Sequence, residues 1–165
     1  MVKLIDIIYY ILKKYPHKNE LSNARLTKMI YLLDWRSAFD YGEQITSINW
    51  YFDNYGPFVH DIEEAINDNP EKIKKIETKT IYGTPKNMFI LKDENIKLDN
   101  LSKNTTSTID IIIERTKKMY WKDFINFVYS TYPIVTSERY TFLNLVQKAK
   151  EYHKELAEEQ GLTVD

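Results

Sequence analysis

The sequence predicts an α+β fold that is mainly α: a compact helical domain carrying a small antiparallel sheet or hairpin. Apolar residues recur three and four positions apart in six stretches, which is the spacing of buried helix faces. Alternation of apolar and polar residues replaces that spacing at 46–52 and at 73–92. The length of 165 residues suits one domain with its own core. We therefore expect a single domain over 1–165, with a tail that frays at about 160–165.

The two N-terminal helices have the clearest boundaries. Helical spacing predicts the first at 2–15, and Pro16 ends it because proline disfavours helical geometry in the residue before it. Ser22 is a suitable N-cap for the second helix, and Gly42 is its expected C-terminal stop. Apolar residues cover most of the circumference of this second helix. We expect it to be buried against several neighbours, with the rest of the chain packed around it.

The second half of this helix carries charges among aromatic residues. Asp34 and Arg36 flank Trp35, and Phe39 follows one turn later. A charge in this setting either reaches solvent or is paired, because burying an unpaired charge is costly. We expect Asp34 to be a solvated or salt-bridged residue at the edge of the helix. The alternative is an acid that binds a partner, or one that is buried with its hydrogen bonds satisfied in the fold.

A short strand and a sharp turn follow. The alternation at 46–52 predicts a strand with one buried face, and the sequence NYGP at 54–57 stops it. Gly56 gives the backbone freedom for the reversal. Pro57 is placed to open the next helix, because its missing N–H costs nothing at a first helical position. The apolar face of that helix is expected to be Val59, Ile62 and Ile66.

The stretch at 73–92 is predicted to be a β-hairpin with its loop at 83–87. Because an isolated two-stranded hairpin is only marginally stable, it should pack on the helices or pair with the strand at 46–52. A polar connection at 93–104 follows the hairpin.

Three further helices are predicted in the C-terminal part. The first is marked by apolar spacing from Ile109 to Thr116, with caps available at 105–108. The second runs from Trp121 and ends before Pro133. The third is marked by Phe142, Leu145, Val146 and Ala149, continues to about Glu159 and has Thr136 or Ser137 as its cap.

Composition excludes several classes of protein. The 23 basic and 24 acidic residues leave a net charge of −1, which gives no long-range attraction for nucleic acid. The absence of Cys excludes disulfides, Cys-based zinc sites and thiol nucleophiles. No window reaches the roughly 18 apolar residues of a membrane span, and the first residues do not resemble a signal peptide. We expect a cytoplasmic protein without membrane contact.

The sequence shows no pattern typical of catalysis or cofactor binding. The four glycines are isolated, so neither a phosphate-binding loop nor a dinucleotide fingerprint can form, and no G-x-S-x-G is present. His60 and Glu64 have the i, i+4 spacing of two metal ligands, but such pairs are common on solvated helix faces. We expect no enzyme activity, no metal, no cofactor and no small-molecule substrate. The 13 Tyr, 7 Phe and 3 Trp instead favour a protein-binding surface, since these rings bury large areas in partly wet interfaces.

Two motifs at a fixed distance resemble those of a known family. The segment from Leu26 to Trp35 reads LTKMIYLLDW, and about twenty residues later 55–59 reads YGPFV. Together they resemble the Panacea domain, once a domain of unknown function and related to phage-associated proteins. The segment VYSTYP at 128–133 is similar to a later motif of the same family. The resemblance spans about 3–150. The chain departs from many members at Phe52-Asp53, where they have Ala-Trp, and at Ile134, where they have Trp.

The resemblance implies an antitoxin. Panacea domains bind and neutralise toxins of toxin–antitoxin systems by direct contact, so the expected partner is a toxin encoded next to this protein. The alternative that it implies is an adaptor that delivers its partner to the ClpXP protease, or a phage or host regulatory binding protein. Fold similarity alone does not fix which of these applies.

The motif positions also supply candidate functional residues. The candidates for partner binding are Asp34, Trp35, Arg36, Tyr51, Tyr55, Phe58 and His60. The candidates for a structural role in the motif are Lys28, Tyr31, Gly56 and Pro57. For each residue in the first group, the alternative is core packing or turn geometry.

Overall fold

A computed structural model describes residues 2–161, which form seven α-helices and two two-stranded antiparallel sheets. The predicted class, α+β and mainly α, is confirmed. The tail expected to fray falls mainly on 162–165, outside the described residues. The helices are α1 (Leu4–Lys14), α2 (Asn23–Tyr41), α3 (Asp61–Asn67), α4 (Lys103–Thr116), α5 (Trp121–Tyr129), α6 (Tyr132–Val135) and α7 (Leu145–Glu159). The strands are β1 (Phe52–Asp53), β2 (Gly56–Pro57), β3 (Ile73–Lys79) and β4 (Pro85–Leu91).

Helix α2 is the centre of the fold, as its apolar circumference predicts. Thirteen of its 19 residues are buried, and it packs against α3, α4, α7 and β4. Both predicted caps are confirmed. The Ser22 hydroxyl accepts the Arg25 N–H at 3.1 Å, and Gly42 adopts a left-handed conformation with φ +76°. Within the described part of the chain, no helix has the length and apolar character needed to cross a membrane.

The segment before the turn is less regular than predicted. Ile48, Trp50 and Phe52 are buried, so the predicted face is right. The two-residue strand β1 pairs with β2 across the turn at Asn54 and Tyr55. The main-chain groups of Trp50 and Phe52 also pair with residues 140–143.

Pro57 does not open a helix, so that prediction is wrong. It lies in β2 opposite Phe52, and α3 begins only at Asp61. Gly56, with φ +104°, directs the chain back along β1, and the Phe58 N–H then donates to the Tyr51 carbonyl at 2.9 Å. Pairing with β1 therefore prevails over the preference of proline for a first helical position.

The second hairpin is confirmed, with a different turn. Strands β3 and β4 pair from Ile73 with Leu91 to Lys79 with Pro85. The turn comes earlier than predicted, because the Thr80 N–H donates to the Thr84 carbonyl at 2.9 Å. The predicted loop residues 85–87 therefore belong to β4. Of the two predicted placements, packing on the helices is correct, since β4 contacts α1 and α2.

Two predicted caps in the C-terminal part are wrong. Helix α4 begins at Lys103 because Ser102 caps it, accepting the Thr105 N–H at 3.2 Å, so the residues at 105–108 lie inside the helix. Helix α7 is capped by Asn144, which accepts the Gln147 N–H at 3.0 Å, rather than by Thr136 or Ser137.

Phe142 is not in α7 because its segment is extended. The Phe52 N–H donates to the Thr141 carbonyl at 2.9 Å, and the Leu143 N–H donates to the Trp50 carbonyl at 2.8 Å. Residues 141–143 thus form an additional extended strip beside β1, and Tyr140 precedes the strip in a turn. The strip carries side chains to the surface that surrounds the turn at Asn54 and Tyr55.

Candidate functional site

Asp34 is fully buried, and five donors converge on its carboxylate. Oδ1 accepts the backbone N–H groups of Ile45 and Thr46 at 3.0 and 2.9 Å. Oδ2 accepts the Trp50 Nε1–H at 2.9 Å, the Gln44 amide at 3.3 Å and the Thr46 hydroxyl. The expectation of a solvated or salt-bridged edge residue is therefore wrong. The structure has the alternative, a buried acid satisfied by the fold.

This carboxylate fastens the segment at 44–50 to α2. Burial raises the pKa of the Asp34 carboxyl to about 6, although hydrogen bonds from Thr46, Trp50 and Ile45 act in the opposite direction. All of its donors come from the same short segment, which places Trp50 in the core. There Trp50 packs edge-on against Tyr31, with ring centroids 5.6 Å apart. Asp34 therefore has a structural role in this conformation.

Tyr31 links α2 to the junction between α5 and α6. Its ring is fully buried, and its hydroxyl lies 2.9 Å from the Thr131 hydroxyl. Burial raises the pKa of the Tyr31 phenol, so it stays protonated. The Thr131 hydroxyl also donates to the Val128 carbonyl at 2.7 Å. The tyrosine of the α2 motif thus holds the end of α5 in place.

Lys28 and Gly56, from the two motifs, meet at one point. Lys28 is 2% exposed, and a Cβ built on Gly56 would lie 3.6 Å from Lys28 Cε and 3.4 Å from Tyr129 Cε2. The Lys28 ammonium lies 5.6 Å from the centre of the Phe58 ring. Burial lowers its pKa to about 8, and the nearby Asp53 carboxylate acts in the opposite direction. The distance between the motifs along the sequence is therefore explained by this contact.

Exposed aromatic side chains surround the turn. Tyr55 is 80% exposed, Phe142 66% and Tyr140 58%, while Tyr51 is partly buried. The rings of Tyr51 and Phe142 pack edge-on with centroids 5.1 Å apart, and the Tyr140 hydroxyl donates to the Asn54 side chain. We call Tyr51, Tyr55, Tyr140 and Phe142 the aromatic face.

Arg139 holds this face to the rest of the fold. Its guanidinium lies 5.4 Å from the Phe52 ring centre and 5.8 Å from that of Tyr129. It also donates to the Asn54 carbonyl and to the Tyr129 hydroxyl, both at 3.3 Å. Tyr140 next to it has φ +67°, which is unusual for a bulky residue and is typical of positions held by their surroundings.

The other predicted residues near the turn lie beside this face. Phe58 is partly buried, and its ring packs edge-on against the exposed His60 with centroids 5.3 Å apart. Tyr51, Tyr55 and Phe58 are therefore brought together, as the turn predicts. Their role in binding stays a prediction. Within residues 2–161, no group of three or more His, Asp or Glu is placed to hold a metal.

The residues predicted on α2 lie in a different part of the molecule. Trp35 is 9% exposed and stacks on Tyr152, with ring centroids 6.1 Å apart. Arg36 is exposed, and its Nε donates to Asp40 at 2.6 Å. Both line a groove of about 740 Å³ between α2, α4, α5 and α7. Trp35 thus packs within the fold and Arg36 forms an ion pair at its surface, and their role in binding stays a prediction.

Sequence reasoning missed Arg139, Tyr140 and Phe142. Exposed and buried residues alternate at 142–145, from exposed Phe142 to buried Leu145, and this strand pattern could have indicated that Phe142 lies in an extended segment. Lys28 was identified from its motif alone. No feature of the sequence indicates that the side chain of Lys28 is buried without an ion pair.

Comparison with known proteins agrees with the motifs. The family model described as antitoxin SocA-like, Panacea domain, matches residues 26–133. This range includes all but the first turn of α2, the turn and the second hairpin, and ends at Pro133 in α6. Neither the curated proteins nor the solved structures give a match. Of the aromatic face, Tyr51 and Tyr55 lie within the matched range, and Tyr140 and Phe142 lie beyond it.

Proposed function

The chain belongs to the Panacea-domain family of SocA-like antitoxins, and from this premise we propose that it neutralises a cognate toxin by direct contact. The role is non-enzymatic, and the toxin is a protein encoded next to it. The protein acts in the cytoplasm, where toxins that block translation have their target. No nucleic acid, membrane, cofactor or small-molecule substrate takes part.

The aromatic face is the observation that supports this function. Its three most exposed rings leave large apolar areas open to solvent beside a cation, Arg139. Tyr and Arg are enriched among residues that dominate binding energy, because they combine large contact area with hydrogen bonding. Contiguous apolar surface of this kind is typical of interaction sites.

The aromatic face combines residues from the family's matched range with residues from outside it, and the two groups have different roles. Tyr51 and Tyr55 come from the matched range, whereas Tyr140 and Phe142 are added from a segment beyond it. The toxin is bound where these two contributions meet. Residues of the extended strip then distinguish one toxin from another.

Co-expression with the neighbouring open reading frame tests the function. We expect the neighbour to arrest growth alone and this protein to restore it. The double variant Tyr55→Ser, Phe142→Ser should lose rescue and bind the neighbour's product ~30-fold more weakly or worse, since one lost hot-spot residue costs about 2 kcal/mol. Its unfolding midpoint should be unchanged, because both side chains are mostly exposed.

The matched control is Ile81→Ser, Tyr82→Ser in the turn of the second hairpin, where both residues are also exposed. This variant should retain rescue. A neighbour without toxicity, or a toxin that this protein does not counteract, would contradict the antitoxin role. Equal loss of rescue in both double variants would contradict the assignment to the aromatic face.

Delivery to ClpXP is separated from occlusion by the half-life of the toxin. Under occlusion, the toxin should be as long-lived in cells with this protein as in cells without it. A half-life that shortens only when both this protein and ClpXP are present would establish the adaptor role instead.

A further inference from the structure

Lys28 is a buried cation without a partner among residues 2–161. Its side chain is 2% exposed, yet no hydrogen bond or ion pair of the described residues involves its ammonium. Among the described residues, the side-chain atoms that are fully enclosed and have no hydrogen bond are Tyr15 Oη, Glu20 Oε2 and Arg25 Nε. Lys28 Nζ has no hydrogen bond either, but it is not fully enclosed, so the small exposed part of Lys28 includes its ammonium.

The surroundings of this ammonium are aromatic, and the one charged group of the described residues that acts on its pKa is the Asp53 carboxylate. It lies over the Phe58 ring, and its stem contacts Gly56. Arg139 is the second cation, on the ring of Tyr129, which also contacts Gly56. Asp53 is near enough to influence Lys28 but forms no ion pair with it, and its Oδ1 already accepts the Asn54 N–H at 2.8 Å.

Another buried cation on α2 shows how the fold compensates such a charge. Arg25, also 2% exposed, donates from Nη2 to the carbonyls of Thr116 and Met119 at 3.0 and 2.8 Å, and its guanidinium lies on the Phe124 ring, whereas its enclosed Nε–H has no partner among the described residues. Lys28 has only the ring contact. A cation that is largely removed from water and has no hydrogen-bond acceptor in the fold is costly, and an incoming anion would recover that cost.

We infer that Lys28 is an anchor for a carboxylate of the protein partner: an Asp or Glu side chain that pairs with the ammonium beside Gly56 and Phe58. This inference rests on the proposed function and specifies the chemistry of the partner. Its acidic side chain is surrounded by apolar contacts to the adjacent aromatic face. The ion pair is desolvated in the complex, which is the setting in which charge pairs contribute most to specificity.

A carboxylate fits this position better than a phosphate. A single ammonium suits a singly charged group, whereas the nearby Asp53 disfavours a dianion. The net charge of −1 provides no field that would collect a polyanion. The neighbouring rings suit the aliphatic stem of Glu or Asp and the apolar residues around it.

The first test needs no toxin. The full chain is labelled for NMR, and shifts of the Lys28 side chain and the Gly56 amide are followed during titration with a glutamate blocked at both termini. Blocked glutamine, inorganic phosphate and a short oligonucleotide are the comparison probes. We expect a saturable shift with blocked glutamate, little with the others, and none at Gly56 in Lys28→Met.

The results that overturn the inference are specific. They are the absence of a saturable shift with blocked glutamate, the same Gly56 shift in Lys28→Met, or stronger saturation by phosphate or the oligonucleotide. Lys28→Met should fold at least as stably as the wild type, since it removes an unpaired buried charge and keeps an apolar stem. If it does not fold, Lys28→Gln takes its place.

The second test uses the toxin once rescue has been shown. Lys28→Met should weaken its binding at least about 30-fold, which corresponds to the lower end for loss of one member of a buried charge pair. Lys117→Met, which removes an exposed ion pair with Glu114, is the control and should bind normally. Unchanged toxin binding in Lys28→Met would refute the anchor and leave the antitoxin role intact. If blocked glutamate binds as expected but the protein counteracts no toxin, the antitoxin role is refuted and the anchor stands.

Discussion

Replacing Asp34 by Asn should change stability in a way that depends on pH. Asn resembles a protonated Asp, but it presents an N–H₂ group in place of one carboxyl oxygen. With its oxygen kept on the backbone N–H groups of Ile45 and Thr46, that N–H₂ group faces the Trp50 Nε1–H, which loses its acceptor. A buried donor without an acceptor costs about 1–3 kcal/mol. Gln44 is less affected because its amide also donates to the carbonyls of Thr46 and Ile48.

At neutral pH the buried charge of wild-type Asp34 lowers the stability of the folded protein, which offsets the cost of the Asn substitution. The pKa of the Asp34 carboxyl is about 6 in the folded protein and 3.8 in the unfolded chain. The folded state therefore binds more protons than the unfolded state between these values, and the free energy of unfolding falls as pH rises through that window. A shift of this size corresponds to about 3 kcal/mol. The contribution of Asp34 is fully present below about pH 4 and is lost above about pH 6.

The unpaired Trp50 donor and the lost buried charge change the free energy of unfolding in opposite directions, and their balance depends on pH. Near pH 4, Asp34→Asn should lower the free energy of unfolding by about 2 kcal/mol, the cost of the unpaired Trp50 donor. Near pH 7 that cost should vanish or reverse, because the wild type has then lost about 3 kcal/mol that the variant never had. Urea unfolding followed by far-ultraviolet circular dichroism gives both values, provided that the dependence on urea concentration stays the same.

The control for Asp34→Asn is Asp40→Asn on the same helix. Asp40 is exposed and pairs with Arg36, so its replacement should change stability by about 1 kcal/mol or less. The reasoning about Asp34 is refuted if Asp34→Asn costs most at neutral pH. That result would mean that the five donors stabilise the carboxylate more than burial destabilises it.

Two further predictions concern a glycine in the turn and the N-cap of α2. Gly56→Ala should destabilise the protein by roughly 2–3 kcal/mol, because φ +104° strains a side chain and the new Cβ lies 3.4 Å from Tyr129 Cε2. The control Gly83→Ala, with φ +81° and no atom within 4 Å of the new Cβ, should cost only about 1 kcal/mol. Equal losses of stability in urea unfolding would show that the contact with Tyr129 is unimportant. Ser22→Ala should lower the free energy of unfolding by about 1 kcal/mol, because the Arg25 N–H loses its cap. Thermal unfolding should show a smaller loss of stability for Ser22→Gly, and a larger one would argue against capping as the cause.

Features that depend on neighbouring residues were predictable from the sequence. Ser22 and Gly42 bound α2 as expected, because a cap is made by residues within one turn of each other. The burial of α2 follows from its apolar circumference, and the buried face at 46–52 follows from alternation. The second hairpin follows from two alternating stretches that are close in sequence.

Features that depend on strand pairing at single residues were not predictable. Pro57 has every local mark of a helix start, but the tight turn before it pairs it with nearby Phe52 in β1. Phe142 continues the helical spacing of α7, yet main-chain hydrogen bonds hold its segment along the distant Trp50 and Phe52. In both cases strand pairing outweighs a weak local preference for helix. The aromatic face depends on the second of these contacts, so only its half near the turn could be anticipated.

Two of the buried charges of α2, Asp34 and Lys28, illustrate the same limit and have opposite consequences. Both lie on a helix with a mostly apolar circumference, but the sequence does not show which groups return to meet them. The segment at 44–50 brings five donors to Asp34, whereas Lys28 meets only a ring and a glycine. Because burial is costly for both charges, the one satisfied within the chain belongs to the scaffold, and the other is completed by a partner. Variants of Asp34 that still fold should therefore leave toxin binding unchanged, whereas Lys28→Met should leave the fold unchanged and lose the toxin.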